Sequence, residues 1–519
     1  MKRISRPNQA SSKKNTSFLI ILLVAFALRT GWIIFTNHTY EDAFITFQFA
    51  RRIAEGQGFV YNPGSKIYGT STPLFTLLLS GWYLIFDGYI VTGARIFNLL
   101  STLGTFVILY RSLNIIEINH RKNILVLSLL ALWPKLWITD TGGMETPLVI
   151  FFITLSWFTY LKGYEIWTGI ISGILLWTRI DLILWPISLF LLDLTEDLNK
   201  SLRSLYFVGI TYLPWVVFST LYFGSPIPHT VKAKWVAYGS SNNLSFIVHI
   251  MNIIKRLAPV GIGLPGQFHG LAAVFTWLII LLAILGGFSH SKNKPILALP
   301  VFVLLEVLLL SFFKASYTSR YVIPILWGLV ILGGLGLGEI WEKLFSNKNK
   351  VRGMFPLLLS AGLIILLIMG FQEANVYKSI QKYRNQMSLK SIGLWINQNT
   401  EPQSKIQLEP LGYAGYYSNR YMLDIVGLIT PEIVDLKRQG ITDPYLYLYS
   451  LNPDLFIVHC DDILNWQHKE QSLEKQILTN FEKVVQFNPL GFNPEGQISE
   501  FDFDFWISRG ACYEIWQRK

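Results

Sequence analysis

The sequence predicts a polytopic α-helical membrane protein that ends in a small α+β domain. Three observations carry this reading. Hydrophobic residues make up 51% of the 519 positions, and charged residues only 15%, well below the roughly 25% usual in soluble domains. Apolar runs long enough to cross a bilayer recur up to residue 371. Beyond that point the composition turns polar, and short β-rich runs replace the long apolar ones.

The spans follow in order. Residues 17–36 form the first, preceded by Lys2, Arg3, Arg6, Lys13 and Lys14, which place the N-terminus in the cytoplasm. No small-residue cleavage site follows this run, so it reads as a span and not as a removed leader. Residues 37–91 make a long outer loop with an amphipathic piece near 40–55. An apolar piece near 73–86 is too short to span and is expected in the interface. Spans at 92–110, 123–138, 146–161, 165–178 and 182–194 come next. A span at 204–223 leads to a second long outer loop, 224–268. The last four spans lie at 269–287, 295–313, 321–339 and 354–371. With eleven crossings, nearly all short basic loops fall on one side, among them the loop with Lys343, Lys348, Lys350 and Arg352. Counting 73–86 as a twelfth would turn those loops outward, against the positive-inside bias.

An odd count puts residues 372–519 outside. A helical pattern near 373–398 is followed by strand-like runs at 406–408, 421–425, 455–458 and 483–487, separated by turn residues. The predicted division is therefore 1–371, a membrane domain, and 372–519, an extracytoplasmic α+β domain. The latter holds 14 Lys and Arg against 18 Asp and Glu, net −4, and the first 371 residues carry the other 30 against 15, net +15. That distribution fits cytoplasmic loops and anionic lipid, and no nucleic-acid partner is expected. Cys460 and Cys512, the only cysteines, are a disulfide if the segment is outside the cell, or two buried thiols. No metal-type Cys/His spacing occurs.

Three polar clusters interrupt the apolar pattern at predicted outer ends of spans: Tyr40–Phe44, Asp140–Thr146 and Ser225–Lys234. Charge near bilayer depth is costly and marks function. Thr39 could cap a helix whose first turn holds Glu41 and Asp42, or one of these acids could act as a general base on a hydroxyl. Glu145, at a helix start, is open to the same two readings. Asp140 reads as a solvated loop acid, and Arg179 with Asp181 as an ion pair inside a helix hairpin. Lys232, Lys234 and Arg320 lie just outside predicted helix ends, where cations suit a phosphate.

The run Glu41-Asp42-Ala43-Phe44-Ile45-Thr46, then Gly56-Gln57-Gly58-Phe59-Val60-Tyr61-Asn62-Pro63-Gly64, then Gly69-Thr70-Ser71-Thr72-Pro73-Leu74 resembles the first outer loop of bacterial GT-C glycosyltransferases. Within that group it is most similar to the terminal arabinofuranosyltransferases of actinobacterial cell walls. Gly143-Met144-Glu145-Thr146, Pro226–Lys234, Ser319–Pro324, Gly412–Tyr417 and Asp424–Leu428 resemble further elements of that family, in the same order. The chain departs from the pattern at Glu41, where the family has Asp, and at His229, where it has Asn.

The resemblance implies a GT-C-type membrane domain of about eleven helices. It also implies transfer of a sugar from a polyprenyl-phosphate donor to a hydroxyl of an envelope glycan, lipid or protein, at the outer face of a cell membrane. It makes Asp42, Glu41 and Glu145 the catalytic candidates, and Arg320, Lys234, Lys232 and His229 the donor-phosphate candidates. No cofactor and no metal are expected, although outer-loop acids bind a divalent ion in the related oligosaccharyltransferases. A transporter of lipid-linked sugars and a non-catalytic envelope-assembly subunit are the alternatives. The former should show internal symmetry or paired broken helices, and neither is evident in the sequence.

Overall fold

A computed structural model describes residues 9–194, 197–239, 246–261, 266–313, 319–346, 354–441, 443, 446–462, 479–493 and 503–519. Lys2, Arg3, Arg6, Lys348, Lys350 and Arg352, which entered the topology reading, lie outside the described residues, as do parts of the 224–268 loop.

The chain is mostly helical. Its helices are α1 (Gln9–Thr36), α2 (Ala43–Ala54), α3 (Pro73–Ile85), α4 (Ile90–Ile115), α5 (His120–Leu132), α6 (Pro134–Thr141), α7 (Thr146–Leu161), α8 (Glu165–Thr178), α9 (Leu184–Asp193), α10 (Leu198–Phe223), α11 (His229–Lys234), α12 (Phe246–Arg256), α13 (Gly266–Ser289), α14 (Lys294–Phe312), α15 (Ile323–Ser346), α16 (Met354–Ser379), α17 (Ser391–Asn399) and α18 (Gly412–Ser418). Among the described residues, seven helices are long and apolar enough to cross a membrane, and eight if the pair α5–α6 is one bent span. The three remaining predicted spans, α7, α8 and α9, are helices of 16, 14 and 10 residues. At 1.5 Å per residue these reach only about 15–24 Å, so they are short members of the bundle.

The span expected at 123–138 is two helices bent by 59°. Pro134 opens α6, and Trp133 before it is extended, as a residue preceding proline prefers. The bend turns α6 across the bundle and brings Asp140 into it. Asp140 is consequently not a solvated loop acid: its Oδ2 accepts from Arg29 Nε at 2.7 Å, and the two side chains are 9% and 2% exposed.

Helix α15 is the central post, with 89% of its apolar window buried. It packs against α13 at Gly286 and Gly336, where an added Cβ would lie 2.0 Å from a carbonyl oxygen of the other helix. Small residues permit such close backbone approach in membrane bundles. A 3₁₀ turn, Ser319–Val322, precedes α15 and sets Arg320 and Tyr321 at its tip.

At that end lies a five-stranded sheet: β1 (Lys405–Gln407), β2 (Tyr421–Leu423), β3 (Leu455–His459), β4 (Phe481–Phe487) and β5 (Tyr513–Arg518), in the order β2-β1-β3-β5-β4. β1 pairs parallel with β2 and β3, whereas β5 pairs antiparallel with β3 and β4. The four strand-like runs of the sequence fall on β1–β4; β5 had no expectation behind it. Cys460 and Cys512 are disulfide-bonded, tying the end of β3 to the start of β5. Helix α16 continues past residue 371 through a π-helical stretch, Ile380–Lys390, into α17. The change in hydropathy therefore falls inside a continuous helical run.

The loop between α1 and α4 is stitched to the sheet. Asn62 donates from Nδ2 to Met422 O at 2.8 Å and accepts from Met422 N at 2.9 Å. Tyr61 OH donates to Leu411 O at 3.0 Å. These bonds hold the first polar cluster between bundle and sheet.

Candidate active site

The site is built where three chain segments meet at the tip of α15. The first is the turn entering α2. Asp42 is the N-cap position of α2, with no side-chain capping bond. Thr39 does not cap α2 either. Its N–H donates to Gln381 Oε1 at 3.2 Å, its carbonyl accepts from Asn385 Nδ2, and its Oγ1 accepts from Arg95 Nη2. Arg95, from α4, also donates to the carbonyls of Asn37 and His38. This leaves the Asp42 carboxylate without a structural duty in its own helix.

The second segment follows α6. Tyr40 N–H donates to Gly142 O at 2.9 Å, and a Cβ on Gly142 would lie 2.1 Å from the Tyr40 ring. Only glycine lets the two loops approach so closely. The third segment is the tip of α15 itself. Arg320 Nη2 lies 3.4 Å from Asp42 Oδ2, with the side chains 13% and 43% exposed. Arg320 Nη1 also reaches Met144 Sδ at 3.7 Å.

Two cavities share Asp42, Met144 and Arg320 as a common wall. The first, about 150 Å³, is also lined by the Gly69–Thr72 stretch, Lys234 and Glu409. The second, about 330 Å³, is lined by Glu41, His38, Tyr377, Arg256 and Arg384. In the first, Lys234 Nζ donates to Tyr321 OH at 3.1 Å. The Tyr321 ring has Arg179, Lys234 and Arg320 within 4.5, 5.4 and 5.3 Å of its centroid. Three cations thus gather around one ring. Arg179 is balanced by Asp181, to which its Nε donates at 3.0 Å, the pair expected from sequence. Thr72 Oγ1 and Glu409 Oε2 have no hydrogen-bond partner among the described residues. Burial first, and then the charges of Asp424, Glu41 and Asp42, hold the Glu409 carboxyl well above its usual range, so it can donate as well as accept.

Of the seven residues singled out from sequence, Asp42 and Arg320 line both cavities, Lys234 the first and Glu41 the second. Glu41 Oε1 accepts from Tyr413 N at 3.1 Å. Burial first, and then the charge of Asp42, push its carboxyl above the ordinary value. Glu145 lines neither cavity. It is the N-cap position of α7 without a capping bond, is 2% exposed with Oε2 unpartnered among the described residues, and lies in the field of Arg320 and Arg179. Lys232 points to solvent in the last turn of α11. His229 N–H donates to Tyr68 O at 2.8 Å. Burial first, and then Lys232, depress the His229 imidazole. Neither lines either of these two cavities.

Sequence reasoning missed Glu409, Arg256 and Arg384, and it quoted Tyr321 only as part of a motif. Arg384 stands in a polar stretch and Arg256 beside Lys255 at the end of an amphipathic helix, and nothing local marks either as an inward-facing cation. Among the described residues no three His, Cys, Asp or Glu side chains gather as a metal site. Asp42 meets the Arg320 guanidinium instead.

A family model described as a domain of unknown function (DUF8728) matches residues 374–515, which include β1 to β4 and the start of β5. No curated protein matches the chain. Among solved structures, ArnT from Cupriavidus metallidurans bound to undecaprenyl phosphate aligns with a TM-score of 0.57 at 13% identity, over 87% of this chain and 94% of that one. Its apo form aligns at 0.56 over 89% and 95%, also at 13% identity. The Archaeoglobus fulgidus oligosaccharyltransferase tethered to an acceptor peptide containing the NVT sequon aligns at 0.60 and 13% identity, over 96% of this chain and 77% of that one. The fold is of the GT-C type. The chain is a multi-pass membrane protein. At this identity the likeness speaks for the fold alone, so the chemistry rests on the site.

Proposed function

We propose that this protein is an integral-membrane glycosyltransferase that moves a sugar from a polyprenyl-phosphate-linked donor to a hydroxyl of an envelope glycan, lipid or protein. One observation carries the reading: a half-exposed carboxylate, Asp42, faces Arg320 across a cavity wall that also holds Lys234. Arg320 and Lys234 hold the donor phosphate, Arg320 with its two-pronged fork. Phosphate oxygens draw the guanidinium off Asp42, which frees the carboxylate as the acceptor arrives. The acceptor oxygen bonds to the anomeric carbon as the bond from that carbon to phosphate oxygen breaks. The electron pair leaves with polyprenyl phosphate, and the hydroxyl proton passes to Asp42. Attack opposite the leaving group inverts the anomeric centre. The unpartnered Thr72 hydroxyl and Glu409 carboxyl offer hydrogen bonds to the sugar.

Several findings support this reading. The ArnT structure of the same fold holds undecaprenyl phosphate, a lipid phosphate of the class proposed here. The loop motifs resembling terminal arabinofuranosyltransferases put a pentofuranosyl unit first among sugars to try. The Cys460–Cys512 disulfide fits an oxidising compartment. With the positive-inside bias, it favours an extracytoplasmic sheet and a cytoplasmic N-terminus, and a division near residue 371 between catalytic membrane domain and outer domain.

The test is to incubate the detergent-purified chain with a panel of polyprenyl-phospho-sugars and follow polyprenyl phosphate release. Release from at least one donor, dependent on an added acceptor, is expected. A protein that moves the intact lipid-linked sugar across vesicles without releasing polyprenyl phosphate is a transporter, and that result overturns the proposal.

A further inference from the structure

The first cavity offers more than a phosphate needs. Arg320 and Lys234 form part of its wall, and Thr72 and Glu409 form another part. The last two come from distant segments. Thr72 is the N-cap position of α3, and Glu409 follows β1 by two residues. Neither side chain is spent on the fold. Thr72 is 3% exposed and makes no capping bond, and its Oγ1 has no partner among the described residues. Its backbone is served: the N–H donates to Thr70 Oγ1 at 3.4 Å, and the carbonyl accepts from Thr76 Oγ1 at 2.9 Å. Only the hydroxyl is left over. Glu409 Oε2 is likewise buried and unpartnered among the described residues. Nearby Asp424 shows the contrast, since its carboxylate accepts from the N–H groups of Gly427, Leu428 and Ile429. An unmade hydrogen bond on a buried polar group is costly. Two such groups on one cavity wall leave room for a ligand's polar atoms to complete them.

Charge narrows the chemistry. Burial first, and then Asp424, Glu41 and Asp42, hold the Glu409 carboxyl well above its usual range, with Arg384 opposing them. Lys437, another cation in its field, is committed through Nζ to the carbonyls of Ile425 and Val426. A protonated carboxyl and a threonine hydroxyl each donate one hydrogen bond and accept others. A hydroxyl is the group that answers both. A carboxylate on the ligand would instead add a negative charge beside four acids. Arg320 and Lys234 share this cavity with Glu409, so a phosphate held by them places its sugar within the same enclosure. We propose that Glu409 and Thr72 read one hydroxyl of an uncharged donor sugar, and that the loop after β1 thereby helps to choose which sugar is transferred. The proposal rests on the glycosyltransferase reading and deepens it by naming the donor sugar's chemistry and the residue that selects it.

The test uses the full-length detergent-purified chain and a panel of polyprenyl-phospho-sugars that includes a uronate and an amino sugar. Dissociation constants are measured without acceptor, by competition against polyprenyl phosphate. A neutral sugar is expected to bind tightest. It is then compared with its monodeoxy analogues, one for each free hydroxyl. One analogue should bind at least about tenfold more weakly than its parent, because it leaves a buried polar group of the protein unpaired. E409Q keeps a donor and an acceptor and should retain that loss within about threefold. E409M has a similar shape and no hydrogen-bonding oxygen. It should bring the two affinities within about threefold of each other without lowering the melting temperature, since an apolar group can replace an unpaired polar one at little cost. T72V removes only the hydroxyl and should shrink the loss by at least about threefold. Tightest binding of a charged sugar, the absence of any discriminated hydroxyl, or undiminished discrimination in E409M or T72V overturns the proposal. Discrimination that E409M erases, without polyprenyl phosphate release under any acceptor, keeps the sugar subsite and overturns the transferase reading. Release with discrimination that E409M leaves intact does the reverse.

Discussion

Arg29–Asp140 and Arg320–Asp42 are both aspartate–arginine pairs of this bundle, and their environments separate structure from chemistry. Arg29 and Asp140 meet at 2.7 Å with side chains 2% and 9% exposed, and Arg29 also donates to Ala25 O and Leu130 O. Arg320 and Asp42 meet at 3.4 Å with 13% and 43% exposure, at a wall between two cavities. The first pair is nearly closed: its partners are protein groups, and the cavity beside it is small, about 30 Å³. The second is loose and open on the Asp42 side, so a phosphate can compete for the arginine. Burial alone would mark Asp140 as the more unusual acid. Access marks Asp42 as the one that can touch a substrate.

The comparison breaks most readily at the closed pair. D140A or R29M should cost about 3–5 kcal/mol of stability, because each leaves one buried charge uncompensated. Thermal unfolding in detergent reads this, and the double replacement R29M/D140L should recover most of it. A loss below about 1 kcal/mol in the single variants would show that water reaches the pair after all. Next is the open pair. D42N should lower turnover by at least about 10²-fold, as loss of a general base does, while its melting temperature and its binding of polyprenyl phosphate stay near those of the parent. Turnover within a few-fold of the parent would remove Asp42 from the chemistry.

A smaller effect is expected at K234Q. Donor KM should rise by about tenfold, the weight of a charge-assisted hydrogen bond, with kcat reduced less. An unchanged donor KM would detach Lys234 from the phosphate. The smallest effect is a slope. The Glu409 carboxyl is held above its ordinary value by burial and by neighbouring acids, so above the unfolded-state value the folded state retains a proton that the unfolded state has lost. Stability therefore falls as pH rises from that value. E409Q, which cannot ionise, should flatten this decline by at most about 1.4 kcal/mol per pH unit. Chemical-denaturation midpoints between pH 5 and pH 9, compared with the parent, read it. Parallel curves would mean that Glu409 ionises freely.

How much of this was legible follows from where the information sits. Asp42, Lys234 and Arg320 were found because each stands where an apolar run gives way to polar sequence, and the three indeed line one cavity. The bundle was legible for the same reason, since hydropathy is local. Asp140 was misread because its partner lies 111 positions away. Arg29, alone in the middle of the first apolar run, was the overlooked signal: a charge there needs an opposite charge inside the bundle. Arg384 lies in a polar segment and Arg256 beside Lys255 at the end of an amphipathic helix, where an inward-facing arginine looks like any solvated one. β5 escaped because Tyr513–Arg518 mixes charged and aromatic residues. Its place between β3 and β4 is fixed by long-range pairing, which no short window contains.

The central claim is spatial: a lipid phosphate binds beside Asp42, on Arg320 and Lys234. A cryo-electron microscopy structure with polyprenyl phosphate bound tests it most directly. The account predicts phosphate oxygens within about 3 Å of the Arg320 guanidinium and the Lys234 amine, with the Arg256–Arg384 cavity left open across the Asp42 wall. A phosphate seated on Arg256 and Arg384, or one out of reach of Asp42, would contradict it.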